Sequence, residues 1–163
     1  MSQKILVING PNLNLLGTRE KEVYGDISLD EIEKSLIDTA SKEKVELDVF
    51  QSNIEGELVD ALHRAAGLKD LITNLSPFGT CCACVFNPGA FTHTSIALRD
   101  AIAGINMPVY EVHISNVLTR EDFRHSSMIG PEVSGTIIGF GAEGYLMALR
   151  TAIDRHVKGI NFL

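Results

Sequence analysis

The chain has 163 residues, with 14 Lys plus Arg against 21 Asp plus Glu and a formal net charge of −7. That length fits one domain, and 45% hydrophobic with 21% charged residues is ordinary for a folded globule. The acidic balance argues against a sequence-independent nucleic-acid binder, whose affinity comes from clustered positive charge, and against a polybasic membrane anchor.

No stretch approaches the ~20 apolar residues of a membrane span, and the run Ile5–Ile8 is too short for a signal-peptide core. The expected location is cytoplasmic, with neither membrane nor nucleic acid as partner.

Lys4–Asn9 is a continuous apolar run, the pattern of a parallel strand covered on both faces. Ser28 followed by Glu31 is a capping box, and Leu29, Ile32, Leu36, Ile37 and Ala40 continue at helical spacing. Val45–Gln51 alternates as a strand, and Glu55–Ala66 reads as a helix with Leu58, Val59 and Leu62 on one side. Leu71–Leu75 and Cys82–Asn87 both read as strands, separated by the turn signal Ser76-Pro77-Phe78-Gly79. Thr94–Ile105 is a predicted helix, Pro108–Ser115 a buried strand, Gly135–Phe140 the last strand and Glu143–Lys158 the last helix. This βα succession predicts a parallel, doubly wound sheet, because each crossover is right-handed and lays a helix over one face. In such sheets ligands sit outside the carboxyl ends of the strands. The loops to inspect are then 10–27, 52–54, 87–93, 113–125 and 140–143.

Cys81, Cys82 and Cys84 are crowded together and odd in number. Adjacent cysteines rarely pair, and C-C-x-C lacks the paired ligand sets of a zinc site. Small buried strand residues are the expectation. Gly139-Phe-Gly141-Ala-Glu-Gly144 matches G-x-G-x-x-G after a strand, but no further strand follows to carry an acidic ribose ligand. The expectation is a tight turn and close helix packing, not a dinucleotide.

The loop after the first strand is long, which in compact domains tends to mean function. Gly17 and Gly25 bracket its distal part as potential hinges. Within it Arg19 and Tyr24 lie five residues apart. A phenol titrates near ~10, and a nearby guanidinium favours the phenolate. Lowering that value by two units corresponds to about 2.7 kcal/mol and makes Tyr24 a usable general base. An exposed arginine and a half-buried tyrosine on a mobile loop fit the spacing as well.

Asn87-Pro-Gly-Ala-Phe-Thr-His93-Thr-Ser follows the third strand. Its hydroxyls and amides can cap the next helix, whose positive end suits an anion. His93 reads either as a site residue or as a structural hydrogen-bonding one. On the fourth strand Glu111, His113 and Ser115 alternate onto one face. A histidine beside a strand glutamate is oriented and readily protonated, which suits a general acid. Arg120 and Arg124, four apart, can meet a carboxylate from one helical face. His63, His125 and His156 read as surface residues. A phenol base, an imidazole acid, arginines and helix N-termini suit proton abstraction beside a carbonyl of an anionic substrate, with loss of a leaving group.

At this point whole blocks agree with one family. Asn9-Gly-Pro-Asn12-Leu-Asn-Leu-Leu-Gly-Thr-Arg19-Glu with Tyr24-Gly25, Phe50-Gln-Ser-Asn53 with Glu55-Gly-Glu, Asn87 to Ser95, Glu111-Val-His113-Ile114-Ser115-Asn-Val and Gly139 to Tyr145 resemble type II 3-dehydroquinate dehydratase, in order and along nearly the whole chain. The resemblance implies a flavodoxin-like fold: a doubly wound five-stranded parallel sheet in three layers. It implies cofactor-free anti elimination of water from 3-dehydroquinate to 3-dehydroshikimate through an enolate, in the shikimate pathway or quinate breakdown. Carried across, Tyr24 is the base, Arg19 holds it as phenolate, and Asn12 positions a water at the enolate oxygen. His113 is the acid. Asn87, His93 and Arg124 contact substrate hydroxyls, and the amides of Ile114 and Ser115 hold the carboxylate. Asp100 matches the residue that reaches a neighbouring subunit's site, in a dodecamer built from trimers. No metal and no cofactor are implied.

Two departures stand out. Lys21 replaces the family's usual proline after Arg-Glu, which removes a restriction on the loop. The link from Leu68 to Cys84 is longer than usual, and Asp70–Asn74 imitates the strand that ends at the substrate asparagine. Asn87 is preferred, because His93 follows it by six residues. Two readings from other classes fit the residues less well. A flavin or phosphate module needs a Ser/Thr/Gly-rich loop after the first strand, which Asn9–Gly17 lacks. A catalytically dead homologue is disfavoured by intact Arg19, Tyr24 and His113.

Overall fold

A computed structural model describes residues 3–18, 26–68 and 80–160. Its strands are β1 (Lys4–Asn9), β2 (Glu46–Gln51), β3 (Ala83–Asn87), β4 (Val109–His113) and β5 (Gly135–Ile138). The α-helices are α1 (Leu29–Lys42), α2 (Glu55–Ala65), α3 (Ile96–Ala103) and α4 (Glu143–His156). The strands form one parallel sheet in the order β2-β1-β3-β4-β5, which is the flavodoxin-like arrangement. The predicted strand Leu71–Leu75, its turn and Asn74 lie outside the described residues.

The sheet is buried on both sides, which is why β1 is an unbroken apolar run. Ile5 and Val7 pack with α1 and α4, on Leu36, Ala148 and Leu149. Leu6 and Ile8 pack the opposite way, on Leu58 and Leu62 of α2 and Leu98 of α3. Period-two alternation along the strand therefore feeds two apolar layers, and the molecule has three layers. Cys84 belongs to the second of these and Cys81 is buried beside it. Burial pushes the Cys81 thiol up to about 12, so it behaves as a small apolar residue; Cys82 is half-buried.

The capping box at α1 forms as the sequence predicts. Glu31 N–H donates to Ser28 Oγ at 3.3 Å, and Ser28 N–H to Glu31 Oε2 at 2.8 Å. β1 has its predicted bounds, while several later elements are shorter than predicted, for local reasons. Ser95 Oγ accepts from Leu98 N–H at 2.8 Å and caps α3, so the helix starts after it, not at Thr94. β4 ends at His113 and β5 at Ile138, because the next backbone groups bond across the two loops. Gly139 N–H donates to His113 O at 3.1 Å and Gly141 N–H to Ile114 O at 3.0 Å. Gly139 has φ +84, and a Cβ there would stand 3.0 Å from Asn116 Cβ. That turn needs glycine on both counts. The G-x-G-x-x-G segment thus clasps the end of β4, in keeping with the expected tight turn.

Strand order reverses at β1, whose chain leaves toward β2 on one side while β3 lies on the other. The carboxyl ends of β1 and β3 are in register, Asn9 opposite Asn87, which puts a crevice over these two residues.

Candidate active site

Over that crevice lies a cavity of about 180 Å³. The loop after β1 supplies Asn12 and Leu16, β3 and its loop supply Asn87 and His93, and β4 and its loop supply His113, Ile114, Ser115, Arg120 and Arg124. Sequence-predicted residues from three separate segments therefore converge. Arg19 and Tyr24 lie outside the described residues. Asp100 is on α3, exposed, and does not line this cavity.

His113 is the buried centre of the site. Its Nε2 lies 2.6 Å from Glu111 Oε1, which leaves Nδ1 as the ring nitrogen for the cavity. Glu111 is fully buried and gathers donors from three other elements. Thr92 Oγ1 donates to it at 2.5 Å, Ser127 Oγ at 3.2 Å and Thr136 Oγ1 at 3.3 Å. Burial pushes its carboxyl up. The His113 bond and charge, with the Thr92 and Ser127 bonds, outweigh that and hold it below the ordinary 4.5. An ionised Glu111 at this distance holds the imidazole ring in one orientation. The His93 ring lies nearly parallel to the His113 ring, at 16° with centroids 6.5 Å apart. His93 Nδ1 is 2.8 Å from the Ser126 carbonyl oxygen, so His93 is both anchored to the backbone and part of the cavity wall.

Asn12 adopts a left-handed backbone, φ 66, that asparagine tolerates better than most residues. Its N–H donates to Asn53 Oδ1 at 2.9 Å. Gln51 Nε2 donates to the same oxygen at 3.1 Å and to Gly10 O at 3.2 Å. The end of β2 therefore braces the loop after β1. Gly10 N–H donates to Asn87 O at 2.7 Å. A Cβ on Gly10 would stand 2.4 Å from Pro88 O, so the β1 and β3 loops meet backbone to backbone.

Arg120 and Arg124 lie at short 3-10 turns, not on one α-helical face. They nonetheless converge on one carboxylate, the chain's own Glu121, with Nε atoms 3.6 and 2.7 Å from Oε2. His125 and His156 are exposed, as expected, and His63 is half-buried. Among the described residues no group of three His, Cys, Asp or Glu side chains is placed to hold a metal ion, and no helix is long and apolar enough to cross a membrane.

Reading the residues singly overlooked Ser127 and Thr136 as partners of Glu111, and Tyr145 beneath Asn87. These contacts join distant segments, and no local motif marks them. The Asn53 brace lay inside a recognised block, but its target did not show in the spacing.

The architecture and the cavity define a flavodoxin-like α/β protein with a buried histidine–glutamate pair at the strand ends. Comparison with known proteins places it further. The family model "Dehydroquinase class II" matches residues 3–153. A 3-dehydroquinate dehydratase of Pelotomaculum thermopropionicum is 54% identical over 149 residues, covering 91% of this chain and 95% of that protein. One of Anoxybacillus flavithermus is 50% identical over 151 residues, covering 93% and 94%. The crystal structure of the type II dehydroquinase of Butyrivibrio crossotus superposes with a TM-score of 0.84 at 41% identity, covering 93% of this chain and 97% of that one. The chain belongs to the class II dehydroquinase family.

Proposed function

We propose that this protein is a hydro-lyase converting 3-dehydroquinate to 3-dehydroshikimate. The observation that carries the reading is the buried Glu111–His113 pair, 2.6 Å apart, at the floor of a cavity rimmed by Asn12, Asn87, His93 and Arg124, in a chain of this family.

The reaction removes a proton beside a ketone and expels a hydroxyl from the neighbouring carbon. Tyr24 is the base, kept as phenolate by Arg19. It takes the C–H proton, and the electron pair moves into an enolate. Asn12 holds a water against the enolate oxygen, and its braced backbone fixes where that amide sits. As the enolate collapses, the C–O bond breaks. His113 gives its proton to the departing hydroxyl, which leaves as water, and Glu111 stabilises the imidazolium before transfer. Asn87, His93 and Arg124 contact substrate hydroxyls, and the backbone amides of Ile114 and Ser115 receive the carboxylate. No cofactor enters the scheme. Asp100, exposed on α3, reaches the site of a neighbouring copy in a homo-oligomer, a dodecamer built from trimers, which light scattering tests.

The decisive experiment adds 3-dehydroquinate to the purified protein and follows the ultraviolet absorbance of the conjugated enone product. A steady rise that scales with protein concentration supports the reading. A flat trace from folded, correctly assembled protein overturns it.

A further inference from the structure

Asn87 stands at the end of β3 with a buried side chain, and its amide is fixed by two contacts. Oδ1 accepts from Gly89 N–H at 3.1 Å, and Nδ2 donates to the hydroxyl of Tyr145 at 2.9 Å. Tyr145 belongs to the first turn of α4 and is fully buried. Its own O–H donates to Asn9 Oδ1 at 2.7 Å. Asn9 is likewise fully buried at the end of β1.

These bonds form a chain with one direction. A neutral phenol has a single proton, and that proton is committed to Asn9. The phenol oxygen must then accept from Asn87, so the nitrogen of the Asn87 amide faces Tyr145. Turning the amide over would set its oxygen against the lone pairs of the phenol and its N–H groups against Gly89 N–H. Both contacts would be repulsive in a dry site. Burial pushes the Tyr145 hydroxyl well above its ordinary value, which keeps the proton in place at any working pH. One N–H and one lone pair of the Asn87 amide remain for the cavity that it lines.

We propose that Tyr145 is a positioning residue of this site: its hydroxyl, oriented by Asn9, fixes the sense in which Asn87 presents donor and acceptor to a substrate hydroxyl. The inference rests on the reading of Asn87 as a substrate contact. Tyr145 itself does not touch substrate. It directly follows the G-x-G-x-x-G segment, so the two together brace the strand ends: the glycines hold β4 and the tyrosine holds β1 and β3.

The test is steady-state kinetics with 3-dehydroquinate on the assembled protein. Tyr145→Phe keeps the ring and removes only the hydroxyl. Loss of one oriented hydrogen bond is expected to raise KM roughly fivefold to tenfold with kcat within about twofold. Asn9→Ala, which frees the phenol proton to turn toward a reversed amide, is expected to shift KM the same way, and it carries the test if Tyr145→Phe does not fold. In an Asn87→Ala background, Tyr145→Phe is expected to add less than about twofold. A variant that melts earlier but binds with unchanged KM, while Asn87→Ala raises KM, overturns the positioning role alone. Fully additive KM effects overturn it as well. An Asn87→Ala variant with unchanged KM removes the substrate contact and the positioning role together, and so marks failure of the underlying reading.

Discussion

Glu111 and His113 stand two positions apart on β4 and face the same way, with His113 Nε2 held 2.6 Å from Glu111 Oε1. Strand geometry makes this pairing automatic, since residues i and i+2 share a face. The His113 bond and charge, helped by the Thr92 and Ser127 hydroxyls, outweigh burial and hold the carboxyl below its ordinary value, so it stays ionised despite full burial.

Glu111→Gln keeps the shape and removes the charge. The His113 Nε2 bond to Oε1 then loses its anionic acceptor, and the ring is held less firmly. The turnover rate is expected to fall by roughly 10² or more, the range for a general acid, with KM within about twofold. Steady-state kinetics on both proteins checks this. Full kcat in Glu111→Gln would separate Glu111 from the acid.

The same carboxylate couples stability to acid. Its native value lies below the ordinary 4.5, so below that pH the unfolded chain binds more protons than the folded one. The contribution of Glu111 is therefore complete above about pH 4.5 and is lost as pH falls through the lowered native value. Denaturant unfolding of the native protein should weaken through that window, and Glu111→Gln should flatten the decline. Identical acid limbs for the two proteins would count against an ionised buried Glu111.

Base and acid are separable by half-reactions. Tyr24→Phe is expected to abolish both exchange of the substrate's C–H proton with solvent and enone formation, with the protein still folded. His113→Ala is expected to spare exchange more than overall turnover. A fully active phenylalanine variant removes Tyr24 from the mechanism, and equal loss of both steps in His113→Ala removes the assigned acid.

The parts of this molecule that the sequence made legible are those written in short stretches. β1 shows as an apolar run because both its faces are covered, and α1 shows because its cap is a four-residue pattern. Glu111 with His113, and Asn87 with His93, are likewise local pairs on one strand or one loop. Contacts that cross the fold left no such mark: Tyr145 and Asn9 are 136 residues apart, and Ser127 reaches Glu111 from a loop between two strands. Arg120 and Arg124 show the other kind of limit. Their spacing fits an α-helix, but the chain takes two 3-10 turns there, and the carboxylate they share is Glu121 from the same segment.

The Ser28 cap offers a test confined to local structure. Its Oγ accepts from the orphan N–H of Glu31 at the start of α1 and donates its own proton to the Glu31 carboxylate. Ser28→Ala is expected to cost about 1 kcal/mol, a fall of roughly 2–4 °C in Tm for a chain of this size. Calorimetry measures it directly, and kinetic constants of the variant at 25 °C should match those of the parent. A Tm unchanged within error would mean that the cap is not formed in solution.

Gly10 carries the strongest steric expectation. Any Cβ there would approach Pro88 O to 2.4 Å, well inside contact distance, and Pro88 adjoins Asn87. The obstacle is backbone, so no side-chain rotation relieves it; the β1 and β3 loops must separate. Gly10→Ala should therefore displace the Asn87 amide and strain the Gly10 N–H bond to Asn87 O, 2.7 Å in the native chain. Since misplacement of a positioning group by about 1 Å can cost 10²-fold, kcat/KM is expected to drop by at least tenfold while circular dichroism shows the sheet intact. Full activity in Gly10→Ala would show that the two loops part without moving Asn87, and that the close approach of their backbones does not set the geometry of the site.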